Sequence, residues 1–169
     1  MRLRKLESKD AALMLEWMHD KDVTEDLKTD FMSKTLDDCK AFIEAAANEE
    51  HDLHLAIVND DDEYMGTVSL KHIKNGRAEF GITVRKAAMG KGYSHYGMTE
   101  IFRIGFEDRD LNEIFWCVDP KNKRAVRFYE KRGYTKFIPD PDTITGYTDD
   151  EIKKYYWYRV LKDKDTLEV

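Results

Sequence analysis

The alternation of apolar and polar positions divides the chain into short, well-bounded segments. Residues 1–6 alternate and read as a strand. Over 9–20, Ala11, Met14, Leu15 and Met18 fall at offsets 0, 3, 4 and 7, the spacing of one helix face, with Ser8 placed to cap it. Residues 20–33 keep no period and read as loop or broken helix. Thr35 and Asp38 then form a capping-box pair heading a second helix over 35–48, with Leu36, Cys39, Phe42, Ile43 and Ala46 as its expected buried stripe. Strands follow at 53–59 and 64–73, joined by the acidic turn 60–63. Asn75-Gly76 predicts a hairpin into the strand 77–84. A helix over 93–109, an apolar strand over 113–118 and a helix over 122–132 ending at Gly133 come next. Beyond them lie a short strand at 135–139, a polar acidic loop at 140–151 and an aromatic strand at 153–161. The tail, 163–169, is expected to fray. No repeat or linker interrupts this order, which predicts one domain over 1–169.

Charge and composition narrow the function. Charged residues make up 37% of the 169 residues and the formal net charge is −6, which argues against a general nucleic-acid binder. No apolar run approaches the roughly 18 residues of a membrane helix, and no apolar stretch follows the basic N-terminus as a secretory signal requires. Cys39 and Cys117 lack metal-ligand spacing and give no disulfide framework, which points to a reducing cytoplasm. The five histidines form no metal-binding pattern. No metal is expected. Cys39, on an apolar helix face, reads as a core residue.

The candidate chemistry lies between Arg77 and Tyr134. The strand 77–84 runs into a loop carrying Gly90, Lys91 and Gly92, and a helix opens near Tyr93 and Ser94. Two glycines before a helix N-terminus offer backbone N–H groups and a positive dipole end to a phosphate, although any tight strand-to-helix turn also favours glycine. Three antiparallel strands precede this loop, which excludes a Rossmann unit, and Tyr93 stands where a Walker motif needs its Lys-Ser/Thr pair. In the later helix Asn122, Ala125 and Tyr129 share one face. An amide, a small residue and a phenol in line suit a long, thin ligand; the plainer readings are an N-cap for Asn122 and a core aromatic for Tyr129.

The motif V-R-x4-G-K-G-Y-S (84–94) followed by N-x-x-A-x-x-F-Y-E-K-x-G-Y (122–134) resembles the GCN5-related N-acetyltransferase (GNAT) superfamily, most closely its RimJ/RimL-like group. The resemblance implies an α/β, three-layer αβα fold about a mixed, mostly antiparallel seven-stranded sheet, with strands four and five splayed. It implies acetyl-CoA as co-substrate, held by a core at 77–134. The pantetheine arm would pair with Ile82, Thr83 and Val84, next to Arg85. The pyrophosphate would meet Gly90, Lys91, Gly92, Tyr93 and Ser94. Asn122 and Ala125 would line the cofactor, and Tyr129 would lie near the thioester sulfur. Ala87 departs from the family's frequent Gln or Arg, and His95 stands where many relatives are acidic.

The implied reaction moves acetyl from acetyl-CoA to a primary amine of a small molecule or a protein N-terminus, by direct attack in a ternary complex. Tyr129 is the candidate acid for the leaving thiolate, because a phenol roughly matches a thiol in basicity. A backbone N–H at the end of the fourth strand, with Val84 as candidate, would face the oxyanion. Glu79 is the candidate base, with His72 on the neighbouring strand as a second option; the plain reading of Glu79 is an ion pair with Arg77 or Lys71. The alternative function is a non-catalytic acyl-CoA-binding or interaction module with the same fold. The aromatic last strand suggests a homodimer edge.

Overall fold

The computed structural model describes residues 1–162. One sheet holds β1 (Arg2–Lys5), β2 (Leu53–Val58), β3 (Tyr64–Lys74), β4 (Arg77–Val84), β5 (Glu113–Val118), β6 (Lys136–Phe137) and β7 (Tyr156–Leu161), in the order β1-β2-β3-β4-β5-β7-β6. The helices are α1 (Ala11–Met18), α2 (Lys21–Thr24), α3 (Leu36–Ala46), α4 (Tyr93–Arg103), α5 (Lys123–Lys131) and α6 (Asp149–Lys154). The β3–β4 hairpin turns on Asn75 and Gly76, both at positive φ (53° and 72°), as a two-residue primed turn requires. Every neighbouring pair is antiparallel except β4–β5. That parallel pair is joined at Arg77–Glu113, Ala78–Ile114 and Glu79–Phe115 only. Past Glu79 the strands part, so alternate amides of Gly81–Val84 face a gap rather than a ladder.

Side-chain alternation gives the sheet two unlike faces. Val68, Leu70, Ala78, Phe80, Ile114, Trp116, Tyr158 and Val160 form one apolar face. Met98, Ile101 and Phe102 of α4 and Tyr129 of α5 close over it. Gly97 of α4 allows that approach, because a Cβ there would sit 2.5 Å from Ile57 Cδ1. The other face is covered at its two ends. Helices α1 and α3 pack on Ala56, Val58 and Tyr64, and Ile144, Ile152 of α6 and Trp157 pack on Phe115. Between those ends the middle of this face is polar: Lys71 pairs with Glu79, Ser69 with Gly81 and Thr67 with Thr83 across β3–β4, and His54 of β2 lies opposite Ser69.

The structure revises several expectations. The first helix is preceded by a 3-10 turn, Ser8–Asp10, capped by Glu7 in a capping box with Asp10 rather than by Ser8. Thr35 and Asp38 do form the expected box on α3, but Leu36 and Phe42 are exposed, and only Cys39 and Ile43 of the expected stripe are fully buried. The unpatterned 20–33 segment contains α2, started by the Asp20 side chain accepting from the Asp22 N–H. The 93–109 helix ends in a wide π-type turn, Ile104–Asp108. The acidic loop contains α6, opened by a Thr148–Glu151 capping box, which shortens the last strand at its start. That strand, β7, lies between β5 and β6, so it is no sheet edge and loses the argument for a homodimer edge. The tail at 163–169 lies outside the described residues.

Candidate active site

The splay of β4 from β5 opens a groove toward α4 and α5. At its far end the loop after β4 makes a 3-10 turn, Lys86–Ala88, and then passes through Gly90 and Gly92 at φ 72° and 88°. These left-handed positions favour glycine. Gly92 is the N-cap of α4 and gives no side-chain cap, so the first-turn N–H groups of α4 stay available to an anion. On the opposite wall Asn122 caps α5, its Oδ1 accepting the Ala125 N–H at 3.1 Å, which leaves Nδ2 for a ligand. The cavity measures about 570 Å³ and is lined by Ile82, Thr83, Val84, Gly90, Gly92 and Ser94 on one side and Asn122, Ala125 and Tyr129 on the other.

Three sequence-expected residues do not line this groove. Lys91 and Tyr93 lie outside its lining. Arg85 is a correction, because its side chain turns the other way. Its Nε donates to Glu16 at 2.9 Å, and its Nη1 donates to Glu63 at 2.6 Å and to the Tyr64 carbonyl at 3.0 Å. These carboxylates raise the pKa of the already cationic guanidinium. It ties α1 and the β2–β3 turn to the end of β4. The lining also includes residues that the sequence did not single out for it. Val23 and Leu27 come from the α2 region, and His95 and Arg132 add polarity. Arg132 donates to His95 Nδ1 at 3.1 Å. Burial and that guanidinium lower the His95 pKa.

A second cavity, of about 480 Å³, opens on the polar sheet face and shares Ile82, Thr83, Asn122, Ala125 and Tyr129 with the groove. Glu79 stands on its floor, only 3% exposed. Its Oε1 accepts a 2.6 Å hydrogen bond from the Tyr147 hydroxyl and lies 3.4 Å from Lys71 Nζ; its Oε2 lies 3.7 Å from His72 Nε2. Arg77, the other expected ion-pair partner, is bound to Glu113 instead. His72 is half exposed and at positive φ (54°) beside a register shift in β3. The Cys117 thiol donates to Tyr147 at 3.5 Å, and burial pushes its pKa up to about 11, so it remains a protonated, weakly reactive thiol. Lys28 bridges the mouth: Nζ donates to the Gly146 carbonyl at 2.7 Å and to Glu151 at 3.0 Å, and sits 4.2 Å from the Tyr147 ring centre.

Tyr129 stands where the two cavities meet. It packs among Trp116, Tyr134 and Tyr158, and burial raises its phenol pKa, so the hydroxyl is held protonated. Among the described residues no group of three or more His, Cys, Asp or Glu is placed to hold a metal ion.

Comparison with known families decides the class, because the acetyltransferase (GNAT) domain matches residues 1–135. The chain belongs to the GNAT acetyltransferases. Acetyl-CoA is therefore its co-substrate, and it is an enzyme of this class rather than a bare acyl-CoA-binding module. The uncharacterized N-acetyltransferase p20 of Bacillus licheniformis is 27% identical over 139 residues, covering 79% of this chain and 78% of that one. The acetyltransferase PseH of Campylobacter jejuni is 22% identical over 137 residues, covering 81% and 84%. In fold, this GNAT enzyme matches the spermidine N-acetyltransferase of Vibrio cholerae in complex with CoA and spermine, with TM-score 0.79, 18% identity and 96% of each chain covered. No helix among its described residues is long and apolar enough to cross a membrane.

Proposed function

We propose that this enzyme acetylates the primary amine of a small molecule or a protein N-terminus by direct attack in a ternary complex. The observation that carries the reading is the meeting of the groove and the polar cavity at Ile82, Thr83 and Tyr129. A thioester brought along the groove would reach an amine held on the other sheet face without crossing bulk water. A relative supports an amine acceptor: a stretch of 81 residues is 31% identical to the spermidine N(1)-acetyltransferase of Escherichia coli, covering 47% of this chain and 44% of that one. The RimJ/RimL-like resemblance keeps a protein N-terminus among the acceptors, and two free cysteines suit a reducing cytoplasm.

In this reading the Ile82–Val84 backbone holds the pantetheine arm. The Gly90–Ser94 turn and the α4 N-terminus hold the pyrophosphate, and Asn122 and Ala125 form the opposite wall. Lys91 and Tyr93 have no assigned contact. Glu79 takes the proton that the ammonium must lose before its lone pair can attack, and His72 passes it to solvent. The new N–C bond forms as the C–S bond breaks. Tyr129 gives its proton to the departing sulfur, and the second proton that the acylated nitrogen sheds returns to the phenolate. Burial raises the Tyr129 phenol pKa, so its proton is present when the thiolate leaves. Titration of acetyl-CoA by calorimetry, followed by thiol release with an amine panel, tests the reading. Binding in the micromolar range with amine-dependent thiol release is expected; no binding at millimolar acetyl-CoA overturns it.

A further inference from the structure

A third cavity meets the other two at Ile82 and Thr83. It measures about 470 Å³ and runs from Gly81 and Ser69 beneath α1 and α3. Its walls are apolar and largely aromatic: Trp17, Phe31, Phe42, Met14 and Met18. Trp17 and Phe31 meet edge to face at 4.9 Å, and Phe42 meets the His54 ring edge-on at 4.8 Å. The floor is polar: His54 Nδ1 and Ser69 Oγ share a 2.7 Å hydrogen bond, burial lowers the His54 pKa, and Lys71 stands beside them.

The charges on this lobe disfavour a second cation. Lys34 and Lys71 both line it, and Asp38 is its one lining carboxylate. Asp38 already accepts from the Thr35 N–H and Oγ1 at the head of α3. Glu79, on the shared face, already has Lys71 and Tyr147 as partners, and Asp52 lies 3.5 Å from His54 Nε2. A polyamine would bring further ammonium groups beside two lysines, at a cost in desolvation that the aromatic faces of the lobe offset only in part. An aromatic body would instead stack against Phe31 and Phe42, with a ring hydroxyl or N–H able to reach the Ser69–His54 pair. Gly81, which lines both lobes of the acceptor side, adds no side chain of its own to the passage between them, where the Lys71 chain lies 3.5 Å from the position a Cβ would take.

We infer that this lobe receives the body of the acceptor, and that the acceptor is a monoamine carrying an aromatic or similarly flat apolar group. The inference presupposes acetyl transfer where β4 parts from β5. It is tested by steady-state thiol release from acetyl-CoA with 2-phenylethylamine and tryptamine, against spermidine, glucosamine and a short peptide. The aromatic amines are expected to give kcat/KM at least tenfold above the others. Phe42→Ala, at an exposed position on α3, is expected to raise KM for tryptamine about fivefold or more, with acetyl-CoA affinity unchanged. Equal or better turnover of spermidine, or a tryptamine KM that ignores Phe42→Ala in a protein of unchanged Tm, overturns the inference while leaving acetyl transfer intact. Acetyl-CoA binding without thiol release on any amine overturns the transfer reading itself.

Discussion

The Tyr147 hydroxyl donates a 2.6 Å hydrogen bond to Oε1 of Glu79. A residue from the acidic loop thereby completes the coordination of a carboxylate in the middle of the sheet. In Tyr147→Phe the ring stays and the donor goes, leaving a buried charge short of a partner. Stability should fall by about 1–3 kcal/mol, measured as a drop in Tm of about 2–4 °C per kcal/mol. If Glu79 is the base, kcat should also fall by about tenfold while acetyl-CoA affinity holds.

Tyr129→Phe separates proton donation from packing. The ring contacts with Trp116 and Tyr158 survive the substitution, so acetyl-CoA should bind within about threefold of the parent enzyme. Loss of the acid should lower kcat by about 10²–10⁴-fold. Single-turnover kinetics beside calorimetry would show it, and an unchanged kcat would remove Tyr129 from the acid role.

Arg85 provides a control on the groove itself. Glu16 and Glu63 are about half exposed (49% and 48%), whereas Arg85 is buried. Arg85→Met therefore returns two carboxylates to water and strands mainly the buried Tyr64 carbonyl, for about 1–3 kcal/mol. Removing both Glu16 and Glu63 instead leaves a buried guanidinium with no carboxylate, which should cost more, about 3–5 kcal/mol. Neither change should alter the acetyl-CoA Kd, as chemical denaturation and calorimetry on the same samples would record.

A Cβ added at Gly66 would lie 2.5 Å from the Thr83 carbonyl and 2.9 Å from Val84 Cα. Both are backbone atoms of β4, so no side-chain rotation relieves the clash. Gly66→Ala should destabilise the fold by about 1–3 kcal/mol. Because the displaced atoms belong to the strand facing the splay, acetyl-CoA affinity should weaken as well, in contrast to the Arg85 variant.

His54 makes stability depend on pH. Burial lowers its folded-state pKa, opposed by the nearby Asp52, so the unfolded chain binds the proton more readily. Stability is then lost as pH falls from about 6.5, the unfolded value, through the lower folded one. Thermal denaturation between about pH 7.5 and 5 should show a shallower loss for His54→Gln than for the parent protein. An identical pH dependence would remove His54 as a source.

Local signals in the sequence marked much of this architecture. Asn75-Gly76 gave the hairpin because two consecutive positive φ angles are demanded there. Thr35 and Asp38 gave the start of α3 because a capping box is a local exchange of hydrogen bonds. The Gly90–Ser94 turn and the Asn122–Ala125–Tyr129 face were legible for the same reason, and Gly90, Gly92 and Ser94 do line one groove with that face. What escaped depended on distant partners. Arg85 sits in the middle of the loop motif, yet its side chain is claimed by Glu16 and Glu63, far away in sequence. Tyr147 lies in a polar loop with no periodicity and meets Glu79 only after folding. Helix α6 spans six residues, too few to show a helical period, although its Thr148–Glu151 box was present to be read.

The three-pair join between β4 and β5 also governs how the molecule comes apart. It leaves two leaves, β1–β4 and β5–β7, held along a short hinge and by the helices packed over it. A ligand seated between them touches both leaves and acts as a rivet. The unliganded enzyme should open first along this line, and hydrogen-exchange protection on acetyl-CoA binding should concentrate in the amides of Gly81–Val84 and the first turn of α4. Opening along this line would thus be one route by which product leaves.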